Sequence, residues 1–500
     1  MSLRYLEAHL IICEKAYHYN HHSLTGKQQH NMKSNILQIL LFLMLIGGVS
    51  TNSMAQRLQS GYFTNGYLYR HQMNPAMGND SINYISIPFF GNNHVSTLAN
   101  IGYENIFQPN PQYPEHSNEK FTTFINPSIT NALASFHKGT NRIELDASTS
   151  ILSTGFKAFG GYNTFEINVR CRAELSLPYE FFEFARNTGN KRYEFDNINM
   201  CGQMFDEIAL GHSRAINNHW RIGSKLKLLL GIIDATLKMN KVVADLQNDK
   251  TWRVQNDVQT HISLKELQYT THTKTYKKTE EKPDEVVNGV KTEQGGIGGW
   301  GLAVDLGVIY QLNPLWKFSA SLVDLGFINW SNDIHATNIK KEFVFEGFQD
   351  VEVGKNQEDK LQKQAYNYSD QISKFTNLEF VGNEGSRTTT IGATLYLGTQ
   401  YTLPIYRPLS FGLLSTTRLA GAYSWTEGRL STNFAPCHWF SAGVNVAANS
   451  FTTSVGWCLN IHPKGLQLFT GMDHILGKLS EEHIPLSGNF SFNLGINVAW

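Results

Sequence analysis

Charged residues at every second position are the feature of this chain that could carry chemistry. In segment 165–177 they alternate with large apolar residues, and segments 220–232 and 302–312 repeat the pattern. Because successive side chains of a strand point to opposite faces, this spacing gathers the charges on one face. The residues of this charged face are Glu166, Arg170, Arg172, Glu174, Arg221, Lys225, Lys227 and Asp305.

Two interpretations of the charged face remain open. Buried charges are tolerated only when they are paired or hydrated, so the face is either a structural lattice of ion pairs or a polar permeation path. We favour the lattice, and we predict an ion-pair cluster of Lys225, Lys227 and Asp305. Asp324 joins this cluster only if a β-bulge near Val323 turns it inward, because its strand otherwise has the opposite phase.

Motifs for catalysis and for metal binding are absent from the sequence. It contains no hydrolase nucleophile elbow, no zinc-protease helix motif and no P-loop, and its cysteines form no C-x-x-C pair. The glycine-rich run 295–299 lacks the lysine of a phosphate loop, and His438, His462 and His474 lack the spacing of a metal site. The balanced formal charge gives no reason to expect nucleic acid as a partner. We therefore expect a protein that is not an enzyme and that needs no cofactor or metal.

The elements that position these charges are predicted to be the strands of an outer-membrane β-barrel. The C-terminal segment 490–500 alternates strictly and ends the chain on an aromatic residue. A closed barrel explains both features, because its last strand pairs with its first and its apolar face meets lipid; a soluble all-β fold is the alternative. The aromatic residues of this C-terminal strand signal, for which the barrel-assembly machinery is the expected partner, are Phe490, Phe492 and Trp500. The alternating segments predict an all-β chain with a single antiparallel transmembrane barrel of about 14 strands.

The front of the chain predicts export. Residues 32–55 have the basic, apolar and then small-residue order of a secretory signal peptide, and we expect cleavage after Ala55. Residues 1–31 are polar and patternless, which favours a mis-annotated leader over a functional extension. Residues 56–80 lack strand alternation and are expected to form a plug inside the barrel, which residues 81–500 build.

The connections between predicted strands fall into two classes. Two long polar inserts, 240–298 and 332–386, contrast with tight turns rich in Asn, Gly and Pro at 160–161, 217–218, 313–315, 434–437 and 462–465. Outer-membrane barrels have short periplasmic turns and longer extracellular loops, so the inserts are expected outside the cell. Their polarity also suits disorder, but residual alternation in 251–264 favours some β-structure in the first insert.

Several short motifs resemble one group of barrels. Asn74-Pro75-Ala76 resembles the N-terminal signature of fatty-acid-transporter-like outer-membrane barrels, and Asp305-Leu306-Gly307 and Asp324-Leu325-Gly326 resemble their repeated strand motifs, as does the segment 225–231. The nearest resemblance, over about residues 57–500, is to an uncharacterised family of such barrels in gut-type Gram-negative bacteria.

The resemblance implies two kinds of function. The wider group includes 14-stranded transporters of hydrophobic compounds and a shuttle component of the type IX secretion system. Fold alone does not decide between them. The first hypothesis is passive uptake of small hydrophobic or amphipathic compounds across the outer membrane. The second is a scaffold that does not transport but binds exported proteins.

Overall fold

The structure is a computed structural model that describes residues 57–79, 82–115, 119–187, 189, 191–247, 251–275, 283–292, 295–347, 358–450, 452–475 and 488–500. The predicted leader 1–31 and signal peptide 32–55 lie outside these residues, as does the expected mature N-terminus at Gln56.

Antiparallel strands form most of the described chain. They are β1 (Tyr84–Ser86), β2 (Asn93–Ala99), β3 (Phe107–Pro109), β4 (Phe121–Thr123), β5 (Thr140–Ala158), β6 (Gly161–Pro178), β7 (Arg192–Ala215), β8 (Trp220–Asp245), β9 (Trp252–Leu264), β10 (Leu267–Lys274), β11 (Asp284–Thr292), β12 (Gly299–Gln311), β13 (Trp316–Asn338), β14 (Glu342–Phe345), β15 (Leu378–Thr390), β16 (Ala393–Thr402), β17 (Leu409–Leu419), β18 (Trp425–Cys437), β19 (Phe440–Asn449), β20 (Thr453–Ile461), β21 (Gln467–Met472) and β22 (Phe490–Ala499). The described α-helices are α1 (Tyr103–Ile106), α2 (Tyr179–Arg186) and α3 (Glu358–Thr376), and none of them is long and apolar enough to cross a membrane.

The strands close into a 14-stranded antiparallel barrel, as predicted. β1 and β2 together make one wall position, followed by β5, β6, β7, β8, β12, β13, β16 and then β17 to β22 in order. The C-terminal strand closes the ring, because Ala499 pairs with Tyr84 and Leu494 with Asn93. This confirms the predicted pairing with segment 81–103, and closure removes the sheet edges that would otherwise need a partner.

Alternation along the strands separates a polar inside from an apolar outside. On β8, Lys225 and Lys227 are 2% and 1% exposed, whereas Leu226 between them is 60% exposed. The same two-residue period runs along β22, where Ser491 and Asn493 are buried and Phe492 faces outward. The barrel therefore has its polar face inside, the reverse of a soluble β-sandwich.

The tight turns lie at one end of the barrel, which we call the short-turn end. Turns after β7 and β12 fall at the predicted 217–218 and 313–315. The turn predicted at 434–437 was wrong, because β18 continues to Cys437. Pro436 suggested a break there, but the strand absorbs it in a pairing irregularity between Phe434 and Cys437. The connection at 403–408 between β16 and β17 also lies at this end.

The two long inserts are shorter than predicted because the wall strands continue into them. β8 reaches Asp245, β13 reaches Asn338 and β15 begins at Leu378. β9 fills the space between β8 and β13, with Leu264 opposite Ile233 and Ser263 opposite Asp333. The β-structure expected at 251–264 is thus an extension of the barrel wall. The described parts of the connections from β2 to β5 and from β6 to β7 lie at the same end of the barrel as these inserts, and the sequence did not single them out.

Candidate functional site: the plugged lumen

Residues 57–79 run through the inside of the barrel as a plug built from three short 3-10 turns. Their aromatic side chains are the core of the molecule: Tyr62 stacks on Tyr396 at 6.1 Å between ring centroids, and Tyr67 meets the edge of Phe469 at 4.9 Å. The barrel wall buries these rings, and the plug in turn fills the centre of the barrel.

Asn74-Pro75-Ala76 fixes the plug to the wall. The Asn74 side-chain oxygen accepts the Ala76 N–H at 3.0 Å and so caps the following turn, in which Pro75 takes the first position. Its amide nitrogen donates to the carbonyl oxygens of Val308 and Ala320 at 3.4 and 3.3 Å, which belong to β12 and β13. The tripeptide is therefore a lock between the plug and two neighbouring strands.

A glycine on the wall makes room for this lock. A methyl group at Gly307 would collide with the Asn74 side-chain oxygen and with the Pro75 ring. We expect Gly307→Ala to lower the unfolding temperature of the barrel, because either the Asn74 bonds or the strand must give way. Gly428→Ala on β18 is the matched control, since a methyl group there meets nothing within 4 Å. Equal melting curves for the two variants, followed by tryptophan fluorescence in detergent, would contradict this role of Gly307.

The other end of the plug is held by one carboxylate. Asp473 accepts the backbone N–H groups of Gln59 and Ser60 at 2.9 and 2.6 Å, and the Ser60 hydroxyl at 2.5 Å. The Arg429 guanidinium lies 3.4 Å from the same carboxylate and neutralises it. The sequence did not identify Asp473, Arg429 or their contact with the plug.

Asp324 is the centre of the charged lumen. Its carboxylate is bonded to Arg57 at 2.9 Å, to Arg170 at 3.1 Å and to Lys227 at 2.5 Å. It is 3% exposed, because the pairing of β12 with β13 slips between Val304 and Leu306 and the backbone of Asp324 takes a positive φ of 60°. This is the bulge on which the inward position of Asp324 depends.

Asp305 supports this centre from the neighbouring strand. It lies 2.8 Å from Lys227, and its other oxygen accepts the Asp324 backbone N–H at 2.7 Å. We expect Asp305→Ala to destabilise the barrel more than Asp305→Asn, because the amide oxygen of Asn can still accept that N–H. Urea unfolding midpoints in the same detergent would measure the difference, and a milder effect of the alanine variant would contradict it.

Lys225 belongs to a different group, although it is the cross-strand neighbour of Asp305. Its ammonium pairs with Glu166 at 2.5 Å and donates to Nδ1 of His71 at 3.1 Å. Burial, with the nearby Lys225 charge, lowers the pKa of His71 on the plug to about 3, so this ring is neutral. Since Nδ1 accepts from Lys225, Nε2 carries the proton and donates to the Tyr84 hydroxyl at 2.9 Å. The plug thus divides the expected cluster of three residues into two.

Two of the remaining predicted charges, Arg172 and Glu174, lie in a third group. Arg172 pairs with Asp146 at 2.6 Å, and Glu174 pairs with Arg418 at 2.7 Å. Arg221 lies apart from them near the short-turn end, where it donates to the Ser213 hydroxyl at 2.9 Å. Within the described residues, no group of His, Cys, Asp and Glu is arranged to hold a metal ion. These contacts place the charged face in ion pairs that join plug to wall and strand to strand.

A family model described as a family of unknown function (DUF5723) matches residues 75–473. The chain belongs to the DUF5723 family. This confirms the expected membership of an uncharacterised barrel family, and the matched range contains both Asp-Leu-Gly motifs and the anchor Asp473.

Solved structures similar to this DUF5723 chain are barrels. The toluene transporter TbuX of Ralstonia pickettii is 7% identical with a TM-score of 0.36, over 86% of this chain and 92% of that one. The toluene transporter TodX of Pseudomonas putida is 8% identical with a TM-score of 0.37, over 87% and 92%. A triple mutant of the Rhodopseudomonas blastica porin is 8% identical with a TM-score of 0.19, over 84% and 99%. No protein with a curated description matches the chain.

The aromatic residues of the C-terminal strand take two environments in the DUF5723 barrel. Phe492 and Trp500 are exposed on the outer wall, and Phe490 is half-buried where β22 meets β2. All three side chains lie on the outer face of the barrel wall and do not line the lumen.

Proposed function

We propose that this protein lies in the outer membrane of a Gram-negative bacterium, with its short turns in the periplasm. The outer wall supports this placement, because apolar side chains such as Leu413 and Leu430 are exposed there. Tryptophans ring the short-turn end, where the amphipathic side chains suit a membrane–water boundary. The members of this ring are Trp220, Trp316, Trp439 and Trp500.

Its proposed activity is passive uptake of small hydrophobic or amphipathic compounds. The observation that carries the proposal is a break in the regular strand pairing beside the plug. Residues 87–92 form an outward turn between β1 and β2, so that β5 pairs with Ile85 and then again with Asn93. Backbone hydrogen bonds of Ile87 and Phe90 to Ile496 hold the edges of this turn to β22. Phe89 and Phe90 turn outward there and are each 58% exposed.

The break offers a sideways exit where the straight path is filled. The plug and the ion pairs of Asp324 occupy the barrel axis, so a continuous aqueous pore has no room there. A hydrophobic compound that enters from the end of the barrel with the long inserts meets a polar wall on most sides and the interrupted strand on one side. It leaves through that interruption into lipid, which lowers its free energy.

Uptake by cells tests this proposal. Cells that lack the gene and cells that carry it are compared for the initial rate of entry of labelled octanoate and labelled toluene. Restored entry with the gene is the expected result. Equal rates with and without the gene, with folded barrel in the outer membrane, would favour the scaffold hypothesis instead.

The outward phenylalanines supply a local test of the exit. Phe89→Asn combined with Phe90→Asn should slow entry by about tenfold, which corresponds to about 1.4 kcal/mol lost for an apolar compound at the barrier. Phe411→Asn, which removes an outward phenylalanine from the distant strand β17, is the control and should leave entry unchanged. If both changes slow entry equally, the compound does not leave through the break. The comparison requires equal amounts of folded barrel, which heat-modifiable gel mobility measures.

A further inference from the structure

Two histidines face each other on neighbouring strands of the barrel wall. His261 of β9 and His335 of β13 are directly opposite in the pairing of these strands. Their rings are parallel to within 1°, and the ring centroids are 4.5 Å apart. Rings stacked at this distance leave no room for a water molecule between them, so a charge on one ring acts directly on the other.

The histidine pair lies near the long-insert end of the wall. β13 is 23 residues long, and at about 3.3 Å per residue it extends far beyond an apolar band of about 25 Å. His335 is close to the last residue of β13, Asn338. Both rings are half-buried, so water and its protons have access to them at the mouth of the lumen.

The carboxylate of Asp333 balances the charge of one ring. It is fully buried and lies 2.8 Å from Nδ1 of His261. The Arg387 guanidinium donates to the same carboxylate at 2.8 Å and also contacts Asp234. Two carboxylates and one guanidinium leave one net negative charge. A proton on His261 therefore completes the balance, and a second proton on His335 exceeds it.

The other charged groups on this face of the described strands provide no second buried counter-charge. Lys238 of β8 is a cation and is exposed. Asp257 of β9 is paired with Lys341 at 2.5 Å. Glu379 of β15 lies opposite Thr337, beyond the histidine pair, and is exposed, so water screens it.

We propose that His261 and His335 form a pH-sensitive latch between β9 and β13 at the mouth of the lumen. When at most one ring is charged, the stack and the bond to Asp333 hold the strands together. When both rings are charged, the like charges repel and the strands separate there. Histidine ordinarily changes its charge between about pH 5 and pH 8, so mild acid is the signal.

The direction of the response follows from proton binding. In mild acid the separated strands bind one proton more than the paired strands, because the second proton no longer meets a neighbouring charge. Acid therefore favours separation. The latch goes beyond the proposed function, since it concerns how the wall responds to its surroundings and not what the lumen carries.

The latch acts on a small contact. β9 meets β13 over five residue pairs, from Gln259 opposite Thr337 to Ser263 opposite Asp333, and the histidines are the middle pair. β9 also pairs with β8 and β14, and β12 joins β8 to β13 lower in the wall. Separation at the histidines therefore opens a local gap at the mouth and leaves the barrel closed below it.

Amide hydrogen–deuterium exchange of the full barrel in nanodiscs of zwitterionic lipid tests the latch. Exchange is compared at about pH 7.5 and about pH 5, on either side of the ordinary titration of histidine, with labelling times scaled for the slower chemical exchange in acid. On the corrected scale, wild-type peptides that cover 259–263 should exchange at least about tenfold faster in acid. Peptides from β12 should exchange equally at both pH values.

Two variants of one histidine remove the second charge. His335→Phe keeps a flat ring against His261 and should show no acid response. His335→Gln is smaller and also uncharged, and it has the same expected result, so the test does not depend on the folding of one variant. His272→Phe is the matched control, because His272 is exposed on β10 outside the pair, and it should keep the wild-type response.

Three results would overturn the latch. One is wild-type exchange at 259–263 that is equal at both pH values. Another is an acid response that persists in both His335 variants, since it would then belong to a carboxylate such as Asp333 or Glu379. The third is a response lost in His272→Phe, which would place it on β10. Because exchange reports on the wall strands alone, these results decide the latch whether or not the protein takes up hydrophobic compounds.

Discussion

Replacing Asp324 by alanine should prevent most of the protein from reaching a stable barrel. Arg57, Arg170 and Lys227 converge on this carboxylate, and all of them are shielded from solvent. Breaking one buried ion pair by removing a partner costs about 3–5 kcal/mol, since the remaining charge stays buried. The loss here affects three cations, against a total stability of about 5–15 kcal/mol for an ordinary domain.

The effect of the Asp324 backbone conformation must be distinguished from the effect of its charge. At a φ of 60°, alanine is strained, whereas asparagine and glycine accept this conformation. Asp324→Gly should therefore be nearly as damaging as Asp324→Ala, and Asp324→Asn should be intermediate because its oxygen still accepts hydrogen bonds. Glu194→Ala is the control for a carboxylate whose ion pairs are exposed, and it should leave the urea midpoint almost unchanged.

Heat-modifiable gel mobility and urea midpoints of the refolded barrel give the measurement. Wild-type stability in Asp324→Asn would show that the negative charge is not needed. Near-normal stability in Asp324→Gly, with failure of Asp324→Ala, would trace the effect to the backbone.

The sequence predicted those parts of the fold that depend on neighbours along a strand. The alternation on β8 placed Lys225 and Lys227 inside because each residue's face follows from a two-residue period. Asp324 shows where that rule ends. Its strand phase points outward, and only the bulge beside Val304 turns it inward. A bulge depends on the pairing of two strands, so the pattern of one strand shows that Asp324 needs a bulge to face inward but cannot show whether the bulge is present.

The contacts of the plug were beyond prediction for a related reason. Missing alternation showed that residues 56–80 are not a wall strand, but it carries no information on which wall residues they meet. Asp473 binds Gln59 and Ser60 across a sequence separation of 414 and 413 residues. The pairing of Lys225 with Glu166 also follows from the plug, since His71 fixes the ammonium on that side.

The same limit hid a cavity of about 310 Å³ between the plug and the wall at the short-turn end, which Arg70 and Lys317 help to line. Lys317 lies between Trp316 and Phe318 on the inward phase of β13, which the pattern of the strand shows. That Arg70 comes to the same cavity depends on the path of the plug between Tyr67 and Asn74. Sequence patterns therefore predicted the barrel wall more accurately than the contacts of the residues inside it.

Replacing Asp473 by alanine should release the first turn of the plug and make a silent barrel conduct ions. The change removes the acceptor for the N–H groups of Gln59 and Ser60 and one of the two carboxylates that pair with Arg429. Hydrogen bonds to a charged group contribute about 1.5–3 kcal/mol each, so the attached state loses about 3–6 kcal/mol. A shift of that size raises the population of released states by at least about 100-fold.

Single-channel recording in planar bilayers measures this release. The wild-type barrel should show no steps, Asp473→Ala should show frequent openings, and Asp473→Asn should show fewer because one acceptor oxygen remains. Asp333→Ala is the matched control, since Asp333 is equally buried but bonds to Ser263, His261 and Arg387 on the wall. It should destabilise the barrel without opening it. Folded Asp473→Ala that stays as silent as the wild type would mean that Asn74 and Arg57 hold the plug without this anchor, and openings in Asp333→Ala would mean that general loosening opens the lumen.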